Sequence, residues 1–597
     1  MTMPKFLTDV PRYTFFTGKG GVGKTSIACA TALVLARTGK TVLLVSTDPA
    51  SNLGQVFGVQ IGNRITAIQS VPGLSALEID PEQAANAYRE RIIGPMRGVL
   101  SEAEIASMAE QLSGSCTTEI AAFDEFTTLL TDTHGAIAAF DYVLFDTAPT
   151  GHTIRLLQLP GSWTAFLKAG KGDASCLGPL AGLEKQKAMY AAAVAALADP
   201  DRTRLLLVAR PSRSALAEID RSHRELAEIG LTRQHVVINA VLPALSDDSD
   251  PLAEAIHRRE EAALANMPAA LNSLPIDLIE LKASNMVGLK ALEMLFETTS
   301  VGNETITDSA DVSVPEVADR PLRDLIDELE QGGPALVMCM GKGGVGKTTV
   351  AAAIAVALAE RGHEVHLSTT DPAAHLTETL CGSVQNLQVS RIDPVQASRA
   401  YRDKVMAAKA KVLDEQGRAN LEEDLRSPCT QEVAVFQAFS HLILESRRKF
   451  VVLDTAPTGH TLLLLDTTGS YHRDIVRNAA PGVRYITPLM RLQDRAATKV
   501  LLITLAETTP VLEAAELQAD LERAGIHPWA WVVNNSVAAA APSALLLRRR
   551  AALELDEIDK VRTELADRYA VIPLLATEPV GVPALESLVG PRPVPVH

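Results

Sequence analysis

A nine-residue glycine-rich segment occurs twice in this chain, and that repetition constrains the fold more than any other feature. GKGGVGKTS runs from Gly18 to Ser26 and GKGGVGKTT from Gly341 to Thr349. Further pairs follow in the same order. STDPAS begins at Ser46 and TTDPAA at Thr369; SCTTEIAAFDEF begins at Ser115 and PCTQEVAVFQAF at Pro428. DTAPTGHT opens at both Asp146 and Asp454, and HVVIN ending at Asn239 answers WVVN ending at Asn534. The copies lie 323 residues apart at Lys24 and Lys347, 308 at Asp146 and Asp454, and 295 at Asn239 and Asn534. The second copy is shorter, yet the motif order is kept, which implies one supersecondary plan used twice.

Within each copy, short apolar runs alternate with helical patterns. Tyr13 to Thr17 and Leu336 to Met340 read as strands entering the glycine loops, and the helices that follow are expected to end near Gly39 and Gly362. Thr41 to Ser46 and Tyr142 to Phe145 have the continuous apolar character of parallel strands covered on both faces. The fold class expected is therefore α/β: two tandem, doubly wound phosphate-loop domains with mostly parallel sheets, related by a pseudo-two-fold axis. The expected boundaries are 1–295 for the first half, 296–321 for a flexible linker rich in Thr, Ser and acidic residues, and 322–597 for the second half.

The chain has 597 residues, 47% apolar and 21% charged, enough apolar material for two large cores. A formal charge of −16 with no basic stripe argues against a nucleic-acid partner. No apolar run reaches the ~18 residues of a membrane span, and MTMPKFLTDV has no leader-like apolar region, so a cytoplasmic location is expected. Six cysteines without a CxxC pair read as reduced thiols.

GxxxxGK[ST] between a strand and a helix lets backbone N–H groups wrap a phosphate at a helix N-terminus. The nucleotide-binding residues expected are Gly18, Gly20, Gly21, Val22, Gly23, Lys24, Thr25 and Ser26, with Gly341, Gly343, Gly344, Val345, Gly346, Lys347, Thr348 and Thr349. Lys24 and Lys347 are placed on the terminal phosphates of ATP, and Thr25 and Thr348 on Mg²⁺. A carboxylate at Asp48 or Asp371 can orient water in line with the γ-phosphate, and one at Asp146 or Asp454 can hold Mg²⁺ through its water shell or cap a helix start. Asn239 and Asn534, late in their strands, are candidates for reading the adenine edge, with a plain turn asparagine as the alternative.

The extra lysines Lys19 and Lys342 make the loops KGGVGKT, which resembles the deviant Walker A class of ATPases. That resemblance implies that Lys19 serves the second site and Lys342 the first, and that Asp48/Asp371 and Asp146/Asp454 belong to two nucleotide-sensing switches. Across nearly the whole chain, LSGSCTTEIAAFDEF, GDASCLGPLAGL, SPCTQEVAVFQAF, both copies of DTAPTGHT and AGIHPWAWVVNNS resemble the ArsA-type arsenite-transporting ATPases.

Soft thiolates suit soft trivalent arsenic or antimony. Cys116 and Cys429 occupy equivalent places near the first turn of a helix, where the helix dipole favours thiolate. Across an approximate two-fold axis, equivalent residues can meet. The resemblance adds Cys176 as a third metalloid ligand, with His152, His460 and Ser427 completing coordination. It also implies an integral-membrane arsenite efflux permease as partner, a metallochaperone as thiol donor, and a monomeric chain acting as an internal pseudo-dimer at the inner face of the membrane. Cys29, Cys339 and Cys381 are expected to be packing residues. The competing reading, a targeting factor for tail-anchored membrane proteins, calls for a methionine-rich groove and a CxxC clasp, whereas this chain has 12 methionines and no such motif.

Overall fold

The computed structural model describes residues 3–48, 53–98, 101–112, 115–131, 135–147, 183–244, 250–297, 320–371, 376–409, 417–418, 421–422, 425, 428–456 and 487–590. Most of the expected linker, 298–319, lies outside them.

Two sheets form the frame. The first runs in the order β3 (Thr66–Ala67), β4 (Leu74–Glu78), β2 (Val42–Ser46), β5 (Tyr142–Asp146), β1 (Tyr13–Thr17), β6 (Thr203–Ala209), β7 (Gln234–Val241) and β8 (Ile276–Glu280). The second runs β11 (Leu387–Arg391), β10 (Val365–Thr369), β12 (Phe450–Asp454), β9 (Leu336–Met340), β13 (Thr498–Leu505), β14 (Pro528–Ser536) and β15 (Tyr569–Pro573). Every pairing between these strands is parallel except β3 with β4. The central strands β1, β2, β9 and β10 are buried along their full length, as continuous apolar runs require when helices cover both faces. The sequence placed β1 and β9 to the residue, and the helices after the glycine loops end at Arg37 and Glu360.

The halves face each other. One apolar core joins Leu242, Ala253 and Ile256 of the first half to Trp531, Val533 and Leu547 of the second. Next to it Asp250 does two jobs. Its Oδ1 accepts from Leu252 N and Ala253 N at 2.9 and 3.2 Å, capping the helix Pro251–Ala265. Its Oδ2 accepts from Ser543 N and Ala544 N at 2.9 and 2.7 Å, at the start of the helix Leu545–Lys560 of the other half. That second helix has Ala544 at its own cap position, a side chain that cannot accept. Burial pulls the Asp250 pKa up, but these four backbone donors outweigh it and hold the carboxyl below its usual range. Asp250→Ala leaves N–H groups without an acceptor at both helix starts. It is expected to lower stability by about 2–3 kcal/mol, read as a shifted denaturation midpoint.

Cys29 and Cys339 are buried, as packing residues should be. Cys381 is not: it is exposed, at φ 40°, with its thiol donating to Glu378 O at 3.0 Å. The turn that ends the helix Leu376–Leu380 carries it away from the core.

Candidate nucleotide site

In both halves the glycine loop leaves the C-terminal end of a central strand, where a doubly wound sheet opens a crevice. The loop turns into a helix at Gly23 or Gly346, both at φ 92°, a left-handed conformation that glycine adopts without steric cost. Lys24 and Lys347 are the first helical residues and are buried. Lys24 Nζ donates to Lys19 O at 3.2 Å and Lys347 Nζ to Lys342 O at 2.8 Å. The ammonium thus folds back over its own loop. Burial lowers the pKa of both, opposed by Asp146 and Asp48 at the first site and by Asp454 and Asp371 at the second.

The threonine after the loop lysine and the aspartate that opens DTAPTGHT meet in each half. Thr25 Oγ1 donates to Asp146 Oδ2 at 2.7 Å; Thr348 Oγ1 donates to Asp454 Oδ2 at 2.9 Å, joined there by Thr369 Oγ1 at 3.1 Å. Parallel register sets Asp146 beside Ser46 and Asp454 beside Thr369, which brings the ends of neighbouring strands to one point. Among the described residues, Oδ1 of both aspartates is buried without a hydrogen-bond partner. Burial raises both carboxyls to a pKa of about 6, against the pull of Lys24 and Lys347. A buried acceptor pair next to a threonine hydroxyl, repeated in both halves, suits a hard divalent cation such as Mg²⁺. The two strand ends are laced together, with Thr47 N donating to Asp146 O and Thr370 N to Asp454 O at 2.9 and 3.0 Å. Asp48 and Asp371 lie one residue further on, near Lys24 and Lys347 in charge.

Asn239 and Asn534 brace the loops. Their amide nitrogens donate to Val22 O and Val345 O at 2.8 and 2.9 Å. The residue after each, Ala240 or Asn535, has φ near 59° or 55°, so both strands kink at the same point.

The two sites share a seam. A methyl group on Gly20 would overlap the backbone of Gly343, and one on Gly344 would overlap the Gly20 carbonyl, so the glycine loops touch backbone to backbone. Burial lowers the pKa of Lys342, but Glu513, Asp48 and Asp146 outweigh it and raise the pKa overall. Two of those three carboxylates belong to the opposite half. Lys19 in turn contributes to lowering the pKa of Lys347. Each extra lysine therefore lies within electrostatic reach of the other half's site.

Cys116 and Cys429 are each the second residue of a helix, Ser115–Thr131 and Pro428–Glu445. Cys176, His152, His460 and Ser427 lie outside the described residues. Two features escaped the motif reading. Glu218 and Glu513 face Lys19 and Lys342, and their matching spacing in the repeat was the available signal. Arg210, which follows β6, has its pKa lowered by burial against the pull of Glu507 across the seam, which also accepts from Arg550 at 2.8 Å.

The profile described as "Anion-transporting ATPase" matches residues 11–300 and 335–491. The chain belongs to the anion-transporting ATPase family. Among relatives of this family, the arsenical pump-driving ATPase of Escherichia coli is 59% identical over 98% of this chain and 100% of its own length. The one from Acidiphilium multivorum is 58% identical with the same coverage. The putative arsenical pump-driving ATPase of Halobacterium salinarum is 36% identical over 96% of this chain and 94% of its own. A member of this ATPase family with two complete glycine loops on facing halves is a tandem phosphate-loop enzyme. Among the described residues no helix is long and apolar enough to cross a membrane.

Proposed function

We propose that this ATPase powers export of trivalent arsenic or antimony, with ATP hydrolysis promoted when the metalloid draws the two halves together. The observation that carries the reading is the placement of Cys116 and Cys429 at equivalent helix starts in a molecule whose two glycine loops meet at one seam. Full-length similarity to arsenical pump-driving ATPases supports the same cargo.

Lys24 and Lys347 hold the terminal phosphates of ATP. Thr25 with Asp48 and Asp146, and Thr348 with Asp371 and Asp454, would hold Mg²⁺, which when bound supplies positive charge to the phosphoryl oxygens. Asp48 and Asp371 orient the attacking water. Lys19 acts on the second site and Lys342 on the first, each bringing a cation to the charge that develops during phosphoryl transfer. Asn239 and Asn534 set the loop geometry and leave the amide oxygen for the base. Cys116, Cys176 and Cys429 bind the metalloid as thiolates, with His152, His460 and Ser427 completing its coordination. The metalloid stimulates hydrolysis by its higher affinity for the closed state. A separate arsenite efflux permease provides the membrane path, a metallochaperone can deliver the cargo, and the chain works in the cytoplasm at the permease.

Steady-state ATP hydrolysis with and without arsenite or antimonite tests this. Wild type is expected to be stimulated, within the roughly 5- to 150-fold range of ordinary allosteric coupling. Cys116→Ser combined with Cys429→Ser removes that stimulation and keeps the basal rate. Full stimulation of the double variant would remove the clamp; an unstimulated wild type would favour a protein client instead of a metalloid.

A further inference from the structure

Glu218 and Glu513 occupy the same place in the two halves. Each is the sixth residue of the helix after a sheet strand, Arg213–Glu228 after β6 and Thr508–Arg523 after β13. They stand 295 residues apart, the spacing of Asn239 and Asn534. Both are buried. A carboxylate in such a place needs a cation or several donors to offset lost hydration. Each has the extra lysine of its own loop: Lys19 Nζ lies 3.8 Å from Glu218 Oε2, and Lys342 Nζ donates to Glu513 Oε1.

The grip matters because of where the lysine is needed. A lysine at the mouth of a glycine loop has four rotatable side-chain bonds, and a cation aids phosphoryl transfer only if it is already in place when charge develops. Lys342 is gripped by Glu513 of its own half while Asp48 and Asp146 of the opposite half also attract it. The Lys342 pair is also the drier of the two, with the lysine side chain 20% exposed against 40% for Lys19.

We propose that Glu218 and Glu513 are positioning residues that hold Lys19 and Lys342 aimed across the seam, so that each carboxylate sets turnover at the site of the other half. This rests on the cross-seam reading of the lysines given above and adds the element that aims them. Neither glutamate touches nucleotide in this account; each acts only through its lysine.

The test is steady-state ATP hydrolysis by the full chain for Glu513→Gln, Glu513→Asp, Lys342→Ala and the double variant Lys342→Ala/Glu513→Gln. Glu513→Gln is expected to lower kcat by about 10- to 100-fold, the scale of a misplaced catalytic group, with KM for ATP changed less than about threefold. Glu513→Asp restores part of the rate, and the double variant is no slower than Lys342→Ala alone. Wild-type kcat in Glu513→Gln, or losses that multiply in the double variant, would overturn the proposal. Normal turnover in Lys342→Ala would instead sink the cross-seam role of the lysine. A slow Lys342→Ala beside a normal Glu513→Gln sinks only the positioning role. If Glu513→Gln fails to fold, Glu218→Gln with Lys19→Ala gives the same comparison in the more exposed pair.

Discussion

Gly20→Ala is expected to lower ATP turnover about 100-fold or more while leaving each half folded and able to bind nucleotide. The residue does not lie in the left-handed region, unlike Gly21 and Gly23, so alanine fits its backbone, and its N–H group is kept. What alanine cannot fit is the facing loop: its methyl group would overlap the Cα, carbonyl carbon and oxygen of Gly343. Backbone atoms at a packed seam have no rotamer to yield, so the loops must part. Lys19 and Lys342 then lose their reach to the opposite site, and displacement of a catalytic group by about 1 Å can cost roughly 100-fold. Metalloid stimulation should vanish with basal turnover. Gly94→Ala, where a methyl group meets nothing within 4 Å, is the matched control. Nucleotide affinity by calorimetry and turnover by phosphate release separate binding from closure. Wild-type turnover in Gly20→Ala would show that hydrolysis does not require the loops to touch.

Asp146→Asn and Asp454→Asn are expected to raise stability at neutral pH and to abolish most turnover at the altered site. Burial lifts both carboxyls to a pKa of about 6 from an ordinary 3.8. A raised folded-state pKa means that the native protein holds a proton that the unfolded chain releases first. Stability from that proton is fully present below pH ~4 and is lost as pH rises through about 6, so at pH 7 each ionised carboxylate costs on the order of 1–3 kcal/mol. Asparagine keeps an acceptor for Thr25 or Thr348 and carries no charge, so the cost is removed. Loss of a carboxylate from the cation shell should lower turnover there by about 100-fold or more. Such a trade of stability for chemistry is common at active sites. Denaturant titration from pH 4 to 8 provides the check: the gap between variant and wild type should open as pH rises through about 6. A gap that is constant with pH would mean that neither aspartate titrates there.

Much of this architecture was legible before any coordinates because the chain states it twice. The strand–glycine-loop–helix unit is local: Gly23 and Gly346 need a positive φ, Lys24 and Lys347 follow at fixed spacing, and the apolar runs at Tyr13–Thr17 and Leu336–Met340 suit only buried parallel strands. Thr25 with Asp146 and Thr348 with Asp454 also follow from motifs, since parallel register carries those strand ends to the same crevice. Cys381 went the other way, because it directly follows a short helix at φ 40° and its side chain is exposed.

The sequence by itself determined two phosphate-loop halves of one plan and the chemistry of each loop, because those depend on residues close in the chain and on their repetition. Only the tertiary structure decided how the halves meet. The backbone contact of Gly20 with Gly343, the carboxylate of Asp250 on two helix starts, and the grip of Glu513 on Lys342 while Asp48 and Asp146 attract it from the other half join residues far apart in sequence. The repeat spacing pairs Glu218 with Glu513, but neither spacing nor periodicity says which groups they or the other seam residues touch. Such contacts arise from the shape of two folded surfaces and from the need of buried charges and helix ends to find partners once those surfaces close.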